Sequence, residues 1–197
     1  MQTYFTRILI GTTLFCALLS TSFAQNTSIS DQVNDYAKVE DIDYCQSALV
    51  VGSTSGFRVG NKVILIQMQG ASIEENEESR MFGTVLELNE AGLYEKGNIR
   101  AIRGDSIFLE NQLLNTYNTN ASIQLVRMAT YVNATVADTI KTQPWDGETG
   151  GIIAISVENT LVLNAPIDAN GAGFRGGEIE SPENDCVGGF NNADRFA

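Results

Sequence analysis

The chain has 197 residues, with 24 acidic against 12 basic side chains, a formal net charge of −12 and no histidine. Without histidine, Ser-His-Asp and Cys-His catalysis, His-ligated zinc and the commonest neutral-pH proton shuttle are excluded, which leaves carboxylates, Lys, Arg and Tyr to do any chemistry. The acidic balance argues against nucleic acid and anionic membrane surfaces as partners, because phosphate binding needs clustered cations; divalent cations and neutral glycans are compatible with it.

Residues 1–24 carry the three parts of a cleavable export signal. Arg7 forms a positive n-region, Ile8 to Ser20 an apolar h-region, and Ser22 and Ala24 flank Phe23 as an A-x-A-like cleavage site before Gln25. The apolar stretch is ~13 residues, short of the roughly 18–20 that span a bilayer, so no transmembrane span is expected in the mature chain. Cys16 leaves with the signal. Removing Arg7 as well gives the mature chain a net charge of −13.

After a flexible amino terminus at 25–31, the sequence is written in short β-strands. Runs of Val, Ile, Leu, Thr and aromatics are punctuated by Gly, Asn and Asp, and no 3.6-residue apolar stripe persists over three turns. The predicted strands are Asp35 to Val39, Ala48 to Val51, Lys62 to Gln69, Phe82 to Leu88, Asn98 to Ile102, Ile107 to Glu110, Ile123 to Met128 and Tyr131 to Val136. Gly60-Asn61, Ala91-Gly92 and Gly104-Asp105 supply the tight turns. Val63 to Ile66 is apolar enough to be buried on both faces, whereas Phe82, Thr84, Leu86 and Leu88 alternate as a half-buried strand should. Short strands at roughly 8–12-residue spacing predict a small β-barrel or sandwich over 32–130.

A second unit is expected over 131–177. Pro144 and Gly150-Gly151 punctuate it, and Ile152 to Val157, Thr160 to Leu163 and Pro166 to Ala169 form brief strands with sharp corners. That rhythm is β-solenoid-like, and a rung of this kind needs stacked neighbours to bury its face. An extra pair of strands on the first unit is the alternative. From 178 to 197 the chain reads as a flexible, acidic, Gly-rich tail and a fragment end.

Few residues point to chemistry. Asp168-Ala169-Asn170-Gly171 has the opening of a calcium loop, making Asp168 and Asn170 candidate ligands, but Ile179 stands where the loop's closing Glu belongs. A tight β-corner explains the same residues without metal, and no other cofactor is indicated. The run Glu74-Glu75-Asn76-Glu77-Glu78 reads as a solvated loop. Cys45 and Cys186 can pair in an oxidising compartment or stand as two thiols. Asp105, Glu110, Asp146 and Glu148 are the acids available for glycoside hydrolysis, and Trp145 with Tyr131 can either stack on sugar or pack in a core.

One ordered set of segments is more specific. Gly56 to Ala71 (GFRVGNKVILIQMQGA), Ile123 to Arg127 (IQLVR), Pro144 to Gly147 (PWDG), Gly150-Gly151 and Gly171 to Gly177 (GAGFRGG) together resemble the amino-terminal region of large secreted or cell-surface proteins of Bacteroidetes. Those proteins are adhesin-like and associated with type IX secretion. The resemblance covers about 32–177 and implies a longer polypeptide with repeat domains and a carboxy-terminal sorting domain; it supplies no catalytic residues. The expectation is a secreted or cell-surface, non-enzymatic structural or adhesive module, exported through a Sec signal, with an extracellular glycan or surface component as partner. The alternative is a carbohydrate-binding or carbohydrate-active β-solenoid domain.

Overall fold

The computed structural model describes residues 26–76 and 78–174. The fold is all-β, with no helix among the described residues. Its strands in chain order are β1 (Asn26–Gln32), β2 (Tyr36–Asp43), β3 (Ala48–Val51), β4 (Lys62–Gln67), β5 (Ser72–Ile73), β6 (Val85–Glu87), β7 (Tyr94–Arg103), β8 (Ser106–Leu109), β9 (Ile123–Arg127), β10 (Ala129–Lys141), β11 (Ile155–Leu163) and β12 (Ile167–Asp168). The expected signal and tail, and the Cys186 end of the expected disulfide, lie outside the described residues.

Six antiparallel strands close a barrel in the order β2-β3-β8-β7-β4-β9. The pleat sends alternate side chains inward, so Val39, Leu49, Val63, Leu65, Ile107 and Leu125 fill the interior at 2% exposure or less. Each such side chain stabilises the fold by about 1.5–3 kcal/mol relative to an exposed position. Phe57 plugs the same core from the loop before β4. Along β4 the alternation is strict: Val63 and Leu65 are buried, while Ile64 and Ile66 are only half-buried on the outer face. The expectation of burial on both faces holds instead for β9, where Ile123 to Val126 are all buried. Its outer wall is covered by the second unit.

That second unit is a stack of parallel strands. β10 lies between β1 on one side and β11 with β12 on the other. Successive layers of β10 and β11 repeat after 26 to 27 residues: Ala129 pairs with Ile155 and Val136 with Leu163. Ile29, Val33, Ala134, Val136 and Ile140 form its core. The solenoid-like expectation therefore describes this unit, with one correction. Of the segment 25–31, expected to be flexible, residues 26–31 lie in β1, which pairs in parallel with a strand over a hundred residues later. The barrel is thus inserted between the first and second layers of the stack.

The second correction concerns Phe82 to Leu88. Only Val85–Glu87 is strand, it is exposed throughout, and it pairs with β5 in a separate two-stranded ribbon. The alternation is present, but no layer covers it.

Candidate functional site: the junction of barrel and stack

The linkers between the two units hold the densest buried polar network. Asn34, between β1 and β2, is 3% exposed; its Nδ2 donates to the carbonyls of Arg127 (2.8 Å) and Ala154 (2.6 Å), and its Oδ1 accepts from the Ala154 amide (3.0 Å). One side chain thereby ties together the exits of β1 and β9 and the segment leading into β11. The Tyr36 hydroxyl donates to the Ile152 carbonyl at 2.5 Å and lies 2.8 Å from Thr142 Oγ1. Burial raises its pKa, so it stays a protonated donor.

Next to it, Asp35 pairs with Arg127 Nε at 2.5 Å, and Arg127 Nη2 donates to the Val33 carbonyl. Gly56 sits against this carboxylate: a Cβ on Gly56 would lie 2.4 Å from Asp35 Cγ, and φ there is 82°. Only glycine fits.

The loop from Pro144 to Gly151 lies on β9. Gln124 (0% exposed) donates to the Gly150 carbonyl and accepts from the Gly150 amide, both at 2.9 Å. Lys38 pairs with Glu148 across the same loop. Asp146 caps the loop from within, accepting from the amides of Glu148 (2.9 Å) and Thr149 (2.8 Å). Desolvation pushes its carboxyl upward, but these amides and the Thr149 hydroxyl outweigh it and hold the pKa below the ordinary Asp value. Trp145 is 3% exposed; its amide donates to the Ala172 carbonyl, and its ring meets Phe174 edge-to-face with centroids 5.2 Å apart.

The far end of the barrel is closed by Gln67, also fully buried. Its Nε2 donates to the carbonyls of Gln69 (2.9 Å) and Asn89 (2.8 Å), and its Oε1 accepts from the Asn118 amide (2.9 Å). Gly70 passes so close that a Cβ would meet Asn89 O at 2.7 Å.

The residues singled out from sequence are not brought together. Asp168 accepts from the Asn170 amide at 2.9 Å, a tight corner, and among the described residues no group of three or more Cys, Asp or Glu side chains converges as metal ligands would. Cys45 is exposed in the β2–β3 turn. Trp145 and Tyr131 do not form a sugar platform: Trp145 is buried at the junction and Tyr131 packs against the core of the stack. Of the four acids, Glu110 accepts from Asn98, Glu148 is ion-paired, Asp146 caps its own loop, and Asp105 sits in the β7–β8 turn. What sequence reasoning missed is the role of buried amides. Asn34, Gln67 and Gln124 look like ordinary polar positions in a strand or loop, and only the apolar neighbours of Gln67 (Ile66 and Met68) and Gln124 (Ile123 and Leu125) hint at burial.

Two grooves lie on the surface of the described residues. One, of about 510 Å³, is apolar and lined by Ile153, Ile155, Val157, Asn159, Leu161 and Ile167 along β11. The other, of about 380 Å³, runs between barrel and stack beside Lys62, Lys96, Asn98, Asn111 and Ser156.

No family model matches the sequence, and no curated protein does. Among solved structures, the chain is similar to the Gp54 tailspike of Acinetobacter baumannii bacteriophage AP22, solved in complex with A. baumannii capsular saccharide, at 11% identity and TM-score 0.34 over 70% of this chain and 24% of that one. It is similar to the tailspike protein gp49 from Pseudomonas phage LKA1 at 12% identity and TM-score 0.31, over 73% and 23%. The chain spans about a quarter of the length of each. Scores of this size leave any assignment to the chain's own residues.

Proposed function

We propose that this chain is a non-enzymatic structural module that begins a β-solenoid on an exported surface or secreted protein, with the barrel docked on the first layers as a cap. One observation carries the reading: among the described residues, the apolar columns of the stack are covered in the lower layers and bare in the third. Val136 is 0% exposed beneath Leu163, which is 59% exposed, and Ile140 is 0% exposed beneath Ile167 at 42%. A third-layer column of this kind is stabilised only by a further strand on β11. The export signal and the resemblance to large Bacteroidetes surface proteins support an extracellular setting and an adhesive role. Gly56, Gly70, Gln124 and Gly150, which belong to segments carrying that resemblance, sit in the structure at the junction and the barrel closure.

Hydrogen exchange tests this. In a chain extended along the downstream reading frame, the amides of β11 should gain protection relative to residues 25–197 alone. Equal exchange in both, or an in-frame stop directly after codon 197, would refute it. Polysaccharide turnover by residues 25–197 that disappears in Asp146→Asn would refute the non-enzymatic part.

Carbohydrate binding is the second reading, favoured by the groove beside Lys62 and Lys96. Among the described residues neither lysine has a carboxylate partner, and amide and hydroxyl groups of Asn98, Asn111 and Ser156 border them. A glycan-array signal lost in Lys62→Ala/Lys96→Ala at unchanged melting temperature is the expected result; silence across acidic and neutral glycans removes the reading.

A further inference from the structure

The ribbon of β5 and β6 leaves the barrel beside Gln67 and, among the described residues, its strands pair only with each other. It is held by its own backbone: the Glu74 amide donates to Thr84 O, the Gly83 amide to Glu74 O, and near the tip the Phe82 amide donates to Ser79 O. Yet it carries Met81, Phe82, Val85, Leu86 and Leu88, each 51–66% exposed. Five large apolar side chains within eight residues lie uncovered among the described residues, Val85 and Leu86 on opposite faces of the ribbon, and exposed apolar surface gathered in this way on folded domains marks contact surfaces. A two-stranded ribbon is also marginal in water unless its apolar side chains find cover.

The chemistry around the patch narrows the occupant. Glu74, Glu75, Glu78 and Glu87 share the segment 72–88 with Arg80 as its one Lys or Arg, and among the described residues none of these carboxylates is ion-paired. An anionic bilayer is repelled by such a rim, and inserting Phe82 into any bilayer would draw unpaired carboxylates toward hydrocarbon. A second copy brings the same charge, −12 in all. We infer that the ribbon is a docking arm for another protein, one presenting an apolar cleft rimmed by Lys and Arg. Apolar burial by Phe82 and Leu86 supplies the affinity, and the carboxylates supply orientation and rejection of acidic surfaces.

The test uses the full mature chain and an amphipathic peptide of alternating Lys and Leu, with a Glu/Leu peptide and phosphatidylcholine vesicles, with and without phosphatidylglycerol, as the other arms. Binding of the Lys/Leu peptide should weaken at least tenfold in Phe82→Ser/Leu86→Ser. It should weaken several-fold in Glu74→Gln/Glu75→Gln/Glu78→Gln and at high salt, with the melting temperature unchanged. Should the serine pair lower the melting temperature, Met81→Ser at the tip turn carries the same comparison. Equal affinity in the serine variants, equal binding of the Glu/Leu peptide, co-sedimentation with either vesicle, or self-association that the serine variants abolish would each overturn the proposal.

Discussion

The side chain of Gln124 and the backbone of Gly150 exchange two hydrogen bonds of 2.9 Å, both buried, so that one glutamine on the barrel wall is read by the loop of the stack as if it were a strand neighbour. Gly150 has φ 104°, and a Cβ there would approach Pro144 O to 2.6 Å. Gln124→Leu removes both partners and strands a buried amide and carbonyl. It should cost about 2–4 kcal/mol in chemical denaturation. A loss below ~1 kcal/mol would mean that water replaces the glutamine.

Gly56→Ala should be among the most damaging single changes. It places a methyl group on the Asp35 carboxylate and demands a left-handed φ from alanine. A destabilisation of at least ~2 kcal/mol is expected from strain and clash together. Combining it with Asp35→Ala should recover only part of the loss, because Cγ and Oδ1 are removed while the Cβ at position 35, 2.8 Å from the added methyl, and the φ penalty stay. Thermal melts of the two variants make the comparison.

The pH dependence of the junction follows from Asp146. Its folded pKa lies below the ordinary Asp value, so the folded chain binds the proton less readily than the unfolded one. The stabilisation is present above the ordinary value and fades as pH falls through the folded one. Asp146→Asn should therefore melt lower than the parent at pH 7, and the gap should close between about pH 5 and 2. A gap independent of pH would show that the carboxylate's charge contributes nothing.

Trp145→Ala should cost about 3–5 kcal/mol, as the loss of a large buried aromatic does. Any glycan binding lost in that variant then tracks unfolded protein, which circular dichroism at the binding temperature would reveal. Retained melting behaviour would contradict the burial of the ring.

The strands of the barrel were largely legible from sequence. Ala48–Val51 lies where the pattern predicts it, and Lys62–Gln67 and Ile123–Arg127 agree with their predictions within two residues, because period-2 alternation and the glycines that turn the chain are local properties. The candidate site was not legible. Asn34, Gln124 and Gly150 acquire their roles from neighbours 26 to 120 residues away, and nothing in their own surroundings announces those partners.

The sequence by itself determined an all-β chain with an acidic surface, a signal-like first segment and no histidine chemistry, since composition and alternation settle these residue by residue. Only the tertiary structure decided that the weakly apolar segment Asn26–Gln32 is a strand and the strongly alternating Phe82 to Leu88 an uncovered arm. The physical reason is the same in both cases. A strand exists where another backbone satisfies its amides, and a side chain is buried where another layer covers it. Ile29 finds both through β10 far along the chain, and Leu86 finds neither in its cover nor, beyond β5, in its pairing.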